Sequence, residues 1–153
     1  MTFVLKDIAD HLRGSTAIVD AVENRIYPDV IPQEERNSGG NRMALFPCIV
    51  LQIVSGQPEY ALRGEAGVHQ TTVQVDVWTD GDRGSYHANE LSELVRNRLS
   101  GYRGTFGSGC RGTARLVRSN SLPVEPVDAS DQFRRRVSMD FDLIHTAAVP
   151  DLT

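Results

Sequence analysis

The feature that most constrains this chain is the alternation running from Phe133 to His145. Phe133, Val137, Met139, Phe141 and Leu143 fall on one side of an extended segment, and Arg134, Arg136, Ser138, Asp140 and Asp142 fall on the other. A period of two over this length predicts a long, half-buried strand. Its polar side is positive at one end and negative at the other. At about 3.3 Å per residue the two charge pairs lie roughly 20 Å apart, too far to neutralise each other within the strand. Each pair must therefore meet solvent, another part of the chain or a neighbouring subunit. Arg134, Arg136, Asp140 and Asp142 are accordingly candidate interface residues.

A second alternating run, Thr71 to Thr79, turns Val73, Val75 and Val77 inward and Gln74, Asp76 and Trp78 outward. A tryptophan on a polar strand face is either covered by another element of the same chain or anchors an interface. Coverage is the favoured expectation, and Trp78 joins the candidate interface set. The apolar, β-branched run Cys48 to Ser55 reads as a central strand, Arg25 to Pro28 as a short strand ended by proline, and Arg115 to Ser119 as another short strand. Leu5, Ile8, Ala9 and Leu12 have helical spacing, with Gly14 as a stop. Ser15 then caps a second helix carrying Ile18, Val19 and Val22. Ala88, Leu91, Leu94, Val95, Leu99 and Tyr102 form the clearest helical stripe, and Gly101 stands where that helix would end. Between these elements, residues 29–45 and 57–69 read as long polar loops, 101–112 as a flexible connector, 120–131 as a loop and 147–153 as a flexible tail.

A chain of 153 residues is expected to form one domain, 1–153, with a substantial core. Its formal charge of −4 argues against nucleic-acid binding as the main role, because phosphate binders usually carry a basic excess. Lys6 is the only lysine. Arginine suits bidentate pairing at interfaces, although a GC-rich genome gives the same bias. Two cysteines, Cys48 and Cys110, are too few for a disulfide framework or a zinc site, and Cys48 reads as a small buried hydrophobe. The N-terminus lacks a signal-peptide pattern and no apolar run reaches the length of a membrane span. The expectation is a soluble product made in the cytoplasm.

Candidate chemistry is thin. The glycine-rich stretch 101–112 has no lysine for a phosphate loop and follows a helix rather than a strand. His11, His69, His87 and His145 are scattered, and the last two read as surface positions. Asp140 and Asp142 share a strand face as paired carboxylates would, but such a pair is expected to be solvated or held by arginine. Ser108 lacks the strand that a nucleophile elbow needs. No catalytic, cofactor or metal residues are therefore expected.

The order of these parts resembles the tail-completion (tail-terminator) family of long-tailed bacteriophages and gene transfer agents. The resemblance is carried by the helical start leading to Arg25-Ile26-Tyr27-Pro28, by Phe46 to Gly56, by Thr72 to Trp78, by the helix over Ala88 to Gly101, and by Arg135 to Phe141. It spans roughly residues 4 to 146, with a 29–45 loop that looks longer than the family's usual connection. The resemblance implies an α+β fold, a mainly antiparallel β-sheet with two to three helices packed on one face. It also implies a structural virion protein rather than an enzyme, and no cofactor. Such a protein would form a homo-hexameric ring on the head-proximal end of the tail tube, stop tube polymerisation and meet head-completion or neck proteins. DNA would pass through the ring without sequence-specific binding. Two other readings stand beside it: another neck component such as a head-closure protein, and a small hydrolase or ligand-binding domain using Asp140, Asp142 and His145.

Overall fold

The computed structural model describes residues 2–29, 46–61, 64–80, 84–122, 125–126 and 133–146. The expected loop beyond Asp29, up to residue 45, and the expected tail 147–153 lie outside the described residues.

Helix α1 spans Thr2–Arg13 and buries Leu5, Ile8, Ala9 and Leu12 at the predicted spacing. Gly14 ends it, donating its N–H to the carbonyls of Asp10 and His11 at 3.2 Å each. Ser15 then takes the N-cap position of α2 (Thr16–Val22), and its Oγ accepts the N–H of Ile18 at 3.5 Å. Helix α3 covers Gly84–Leu99 and is followed by Gly101 at φ +77, the left-handed conformation that glycine adopts without steric cost.

The strands are β1 (Ile26–Pro28), β2 (Cys48–Ala61), β3 (Gly64–Asp80), β4 (Arg103–Thr105), β5 (Arg111–Ser121), β6 (Glu125–Pro126) and β7 (Phe133–Thr146). They form one sheet in the order β1-β2-β3-β7-β5-β4, with β6 also pairing β7. Among the described strands only β1 on β2 is parallel. The fold is thus α+β with a mainly antiparallel sheet, as the family resemblance implied. Ile8, Leu12, Ile18, Leu91 and Leu99 from the three helices meet Leu51, Val75, Met139, Phe141 and Leu143 from one face of the sheet. Burying each such side chain contributes about 1.5–3 kcal/mol, so this layer dominates the stability of the fold.

Two expected loops are ordered structure. Apart from residues 62–63, which lie outside the described residues, the connection read over 57–69 is a hairpin arm: Gln57 pairs with Gln70, Pro58 with His69 and Ala61 with Gly64. Pro58 looks like a strand breaker, yet it lies in β2 beyond the last β1 partner at Leu51, on an outer edge where no described strand needs its missing N–H. The stretch 101–112 is not a flexible connector either. It holds β4, a tight turn and the start of β5, and its Phe106 is fully buried. The glycines there serve close approach. A Cβ on Gly107, at φ +58, would come within 2.8 Å of Asp10 Cβ, and one on Gly109 would overlap the Asp7 carboxylate. That carboxylate accepts the N–H of Cys110 at 2.9 Å and ties the turn to α1.

Gly109→Ala should therefore lower stability by about 1–3 kcal/mol, the usual scale for an overpacked site. Denaturant titration would register this as a lower midpoint. The double variant with Asp7→Ala should cost less than the sum of the single changes.

Candidate assembly surface

The sheet face away from the helices carries the candidate residues. Its even-numbered positions pair across the two central strands: Trp78 with Arg136, Asp76 with Ser138, Gln74 with Asp140 and Thr72 with Asp142. A small second cluster, Tyr27, Cys48 and Val50 with Phe46 and Trp78, covers one end of this face. Trp78 lies 6.5 Å from Phe46, ring to ring, and is half-buried by its own chain, as expected.

The charges on β7 find partners inside the chain. Arg136 sits over the Trp78 ring, 4.9 Å from its centroid, and reaches Asp76 at 3.8 Å. Asp76 is only 4% exposed and also accepts from Gln74 Nε2 at 3.0 and 3.1 Å, so a charge on the polar face is almost fully covered. Asp140 pairs with Arg118 at 3.3 Å. Asp142 pairs with Arg115 at 3.7 Å and accepts the Thr72 hydroxyl at 2.8 Å. Neighbouring strands thus neutralise what the final strand cannot neutralise alone. Arg134 stands opposite Asp80 in the backbone register, and its side chain lies outside the described residues. Sequence alternation does not single out Arg115 and Arg118. The one available signal is that residues 94–124 hold six arginines and no acid.

His145 departs from the surface position expected for it. It lies on the helix side of β7, 3% exposed, with its Nε2 at 2.8 Å from Thr71 Oγ1 and its Nδ1 at 2.9 Å from the Thr146 carbonyl. Asp140 and Asp142 lie on the opposite face, so the three residues of the hydrolase reading do not converge. His11 is also buried, with Nε2 at 3.2 Å from the Arg98 carbonyl and its ring 4.1 Å from Tyr102. His69 lies 6.0 Å from His145, ring to ring and tilted by 47°, and His87 occupies the first turn of α3. Among the described residues no group of His, Cys, Asp and Glu has the arrangement of a metal site. Burial and the neighbouring Asp7 push the Cys110 thiol up to about 12, far from a reactive thiolate. A groove of about 280 Å³ runs between α1 and β1, lined by Leu5, Ala9, Ile26 and Pro28 among others. No described helix is long and apolar enough to cross a membrane.

Burial holds both His11 and His145 below the ordinary histidine value of 6.5. The folded state then binds fewer protons than the unfolded chain, so stability is retained above pH 6.5 and lost as the pH falls through and below it. Thermal melts between pH 7.5 and 5 should show this loss, with a shallower slope in His145→Gln. Arg136→Ala should cost about 1–3 kcal/mol, because Asp76 stays buried with fewer partners. Chemical denaturation of that variant measures the loss directly.

The sequence matches the family described as tail completion protein gp17 over residues 6–146. No curated protein matches it. A solved chain from the virion of a native gene transfer agent (GTA) particle is similar in fold, with a TM-score of 0.59, 18% identity and 92% of each chain covered. The family match spans most of α1, the β2–β3, β3–β7 and β5–β7 pairings and the closing strand, so the chain belongs to the tail completion protein gp17 family, the structural tail components of phage-type particles.

Proposed function

We propose that the protein, as one domain over 1–153, forms a homo-hexameric ring on the head-proximal end of a phage or gene transfer agent tail tube. The ring ends tube polymerisation and presents a surface to head-completion proteins, while DNA passes through it without sequence-specific contacts. The observation that carries this reading is the family match over residues 6–146. The gene transfer agent chain of similar fold supports it.

The geometry is compatible with a part that assembles. Opposite edges of the sheet are different surfaces, so a copy added edge to edge makes a head-to-tail contact, the kind that closes into a ring when the rotation fits. The charged face is knitted by ion pairs of 3.3 to 3.8 Å, with Arg115 and Arg118 mostly exposed at its margin. Exposed pairs of this type contribute only about 0–1 kcal/mol each, so the arginines are available to a neighbour at small cost.

Deleting the gene should give particles in which tubes are not capped at their upper end and heads and tails fail to join. A reconstruction of the intact particle should place six copies between tube and head-completion proteins. Density for this chain in the head-closure position, or its absence from the tail's upper end, would overturn the assignment.

A further inference from the structure

We infer that two opposite edges of the sheet are the two halves of a contact between copies of this chain. The basic half is Arg103, Arg111 and Arg118 on the β4–β5 edge. The acidic half is Asp29 and Glu59 on the β1–β2 edge. This deepens the ring reading above and rests on it.

Charge is segregated along the chain. In a protein of net charge −4, residues 94–124 hold six arginines and no aspartate or glutamate. Four of the six, Arg103, Arg111, Arg115 and Arg118, fall on β4 and β5 and are exposed. Arg103 and Arg111 have no charged partner among the described residues. At the other end of the strand order, Asp29 follows β1 and Glu59 lies in β2, both exposed; Lys6 and Arg13 line the same groove as Asp29, and Asp10 holds them at 3.0 and 3.3 Å.

The register places these opposite charges at matching heights. One row crosses the sheet as Gln52, Gln74, Asp140 and Arg118. Asp29 lies at its acidic end, since its carbonyl accepts Gln52 Nε2 at 3.0 Å and its N–H binds the Leu51 carbonyl at 2.8 Å. A second row crosses as Pro58, His69, His145 and Gly112. Glu59 and Arg111 each sit one residue beyond it, toward the same end of the sheet, and Arg103, opposite Thr113, lies one residue to the other side. The rows are five residues apart on β3, about 17 Å at 3.3 Å per residue. A copy set beside the first, by rotation about an axis along the strands, therefore brings Asp29 level with Arg118 and Glu59 level with Arg111 and Arg103.

Among the described residues both edges are open: β1 covers β2 only at Ile49–Leu51, and β4 covers β5 only at Arg111–Thr113. Bulges at Val54 and Glu59 on β2, and at Val117 on β5, interrupt each edge and disfavour a continuous ladder between copies. Side-chain ion pairs are then the specific element, and they set partner and orientation more than raw affinity. A nucleic-acid surface fits less well, because the carboxylates of Asp140 and Asp142 lie beside the edge arginines and weaken its attraction for phosphate.

The test uses the full chain, alone and with purified tail tubes, in three forms: wild type, Arg103→Glu with Arg111→Glu, and Asp29→Arg with Glu59→Arg. Each variant alone should shift assembly to about tenfold higher concentration or more, with circular dichroism unchanged and melting lowered only slightly by Asp29→Arg, because Asp29 sits at φ +68. Mixing the two variants should restore rings of alternating copies, because each reversed edge then meets a complementary one. Rings that form equally well in all three proteins overturn the edge assignment and leave the ring standing. A wild-type chain that is monomeric at every concentration and on tubes overturns both. Persistent rings together with loss of duplex-DNA retention in the arginine variant would make the edge a phosphate-binding surface and refute the contact.

Discussion

Everything in this fold depends on how β3 lies against β7. Their antiparallel register runs from Val68 opposite Thr146 to Asp80 opposite Arg134. It puts Val73, Val75 and Val77 on the same side as Val137, Met139, Phe141 and Leu143. A slip of one residue would turn one strand's apolar set to the opposite face and break the layer that the helices cover. The two strands also belong to different hairpins, β2–β3 and β5–β7, so their pairing joins two locally formed halves into one sheet. Such a distant pairing is entropically expensive and has to be rewarded by the apolar layer it creates.

The same register organises the polar face. Because the strands alternate strictly, aligning the core also aligns Asp76, Asp140 and Asp142 with arginines on neighbouring strands. Charges that would be costly near a covered surface become a lattice of paired groups. Asp76 shows the strength of this arrangement: it is nearly buried, yet Arg136 and Gln74 both reach it. A face whose charges are already paired suits a part that assembles, since fewer side chains are left to be ordered on contact.

The strands and helices with an uninterrupted apolar period were legible in the residues. The caps of the first two helices, the 71–79 and 133–145 strands and the helix over Ala88–Leu99 depend on local chemistry: Ser15 can reach its own helix, and valines at every second position declare one buried face. The 57–69 arm and the 101–112 turn were not legible. Glycine and proline in those segments carry the local signal of a loop, and what overrides it is non-local: an unpaired outer edge that tolerates Pro58, and helix α1 packed against Gly107 and Gly109.

The candidate site divides in the same way. Alternation alone placed Arg136, Asp140, Asp142 and Trp78 on one face, because side-chain direction along a strand is a property of the backbone. Which charges meet which was decided only by strand order, which set Arg115 and Arg118 beside Asp142 and Asp140 from a strand more than twenty residues away. Likewise His145 followed its own alternation onto the apolar side, but its burial against Thr71 needed β3 in place. The sequence by itself determined which face each residue takes. Only the tertiary structure decided its neighbours, because partners across a sheet are fixed by pairing between distant segments and not by any period within one.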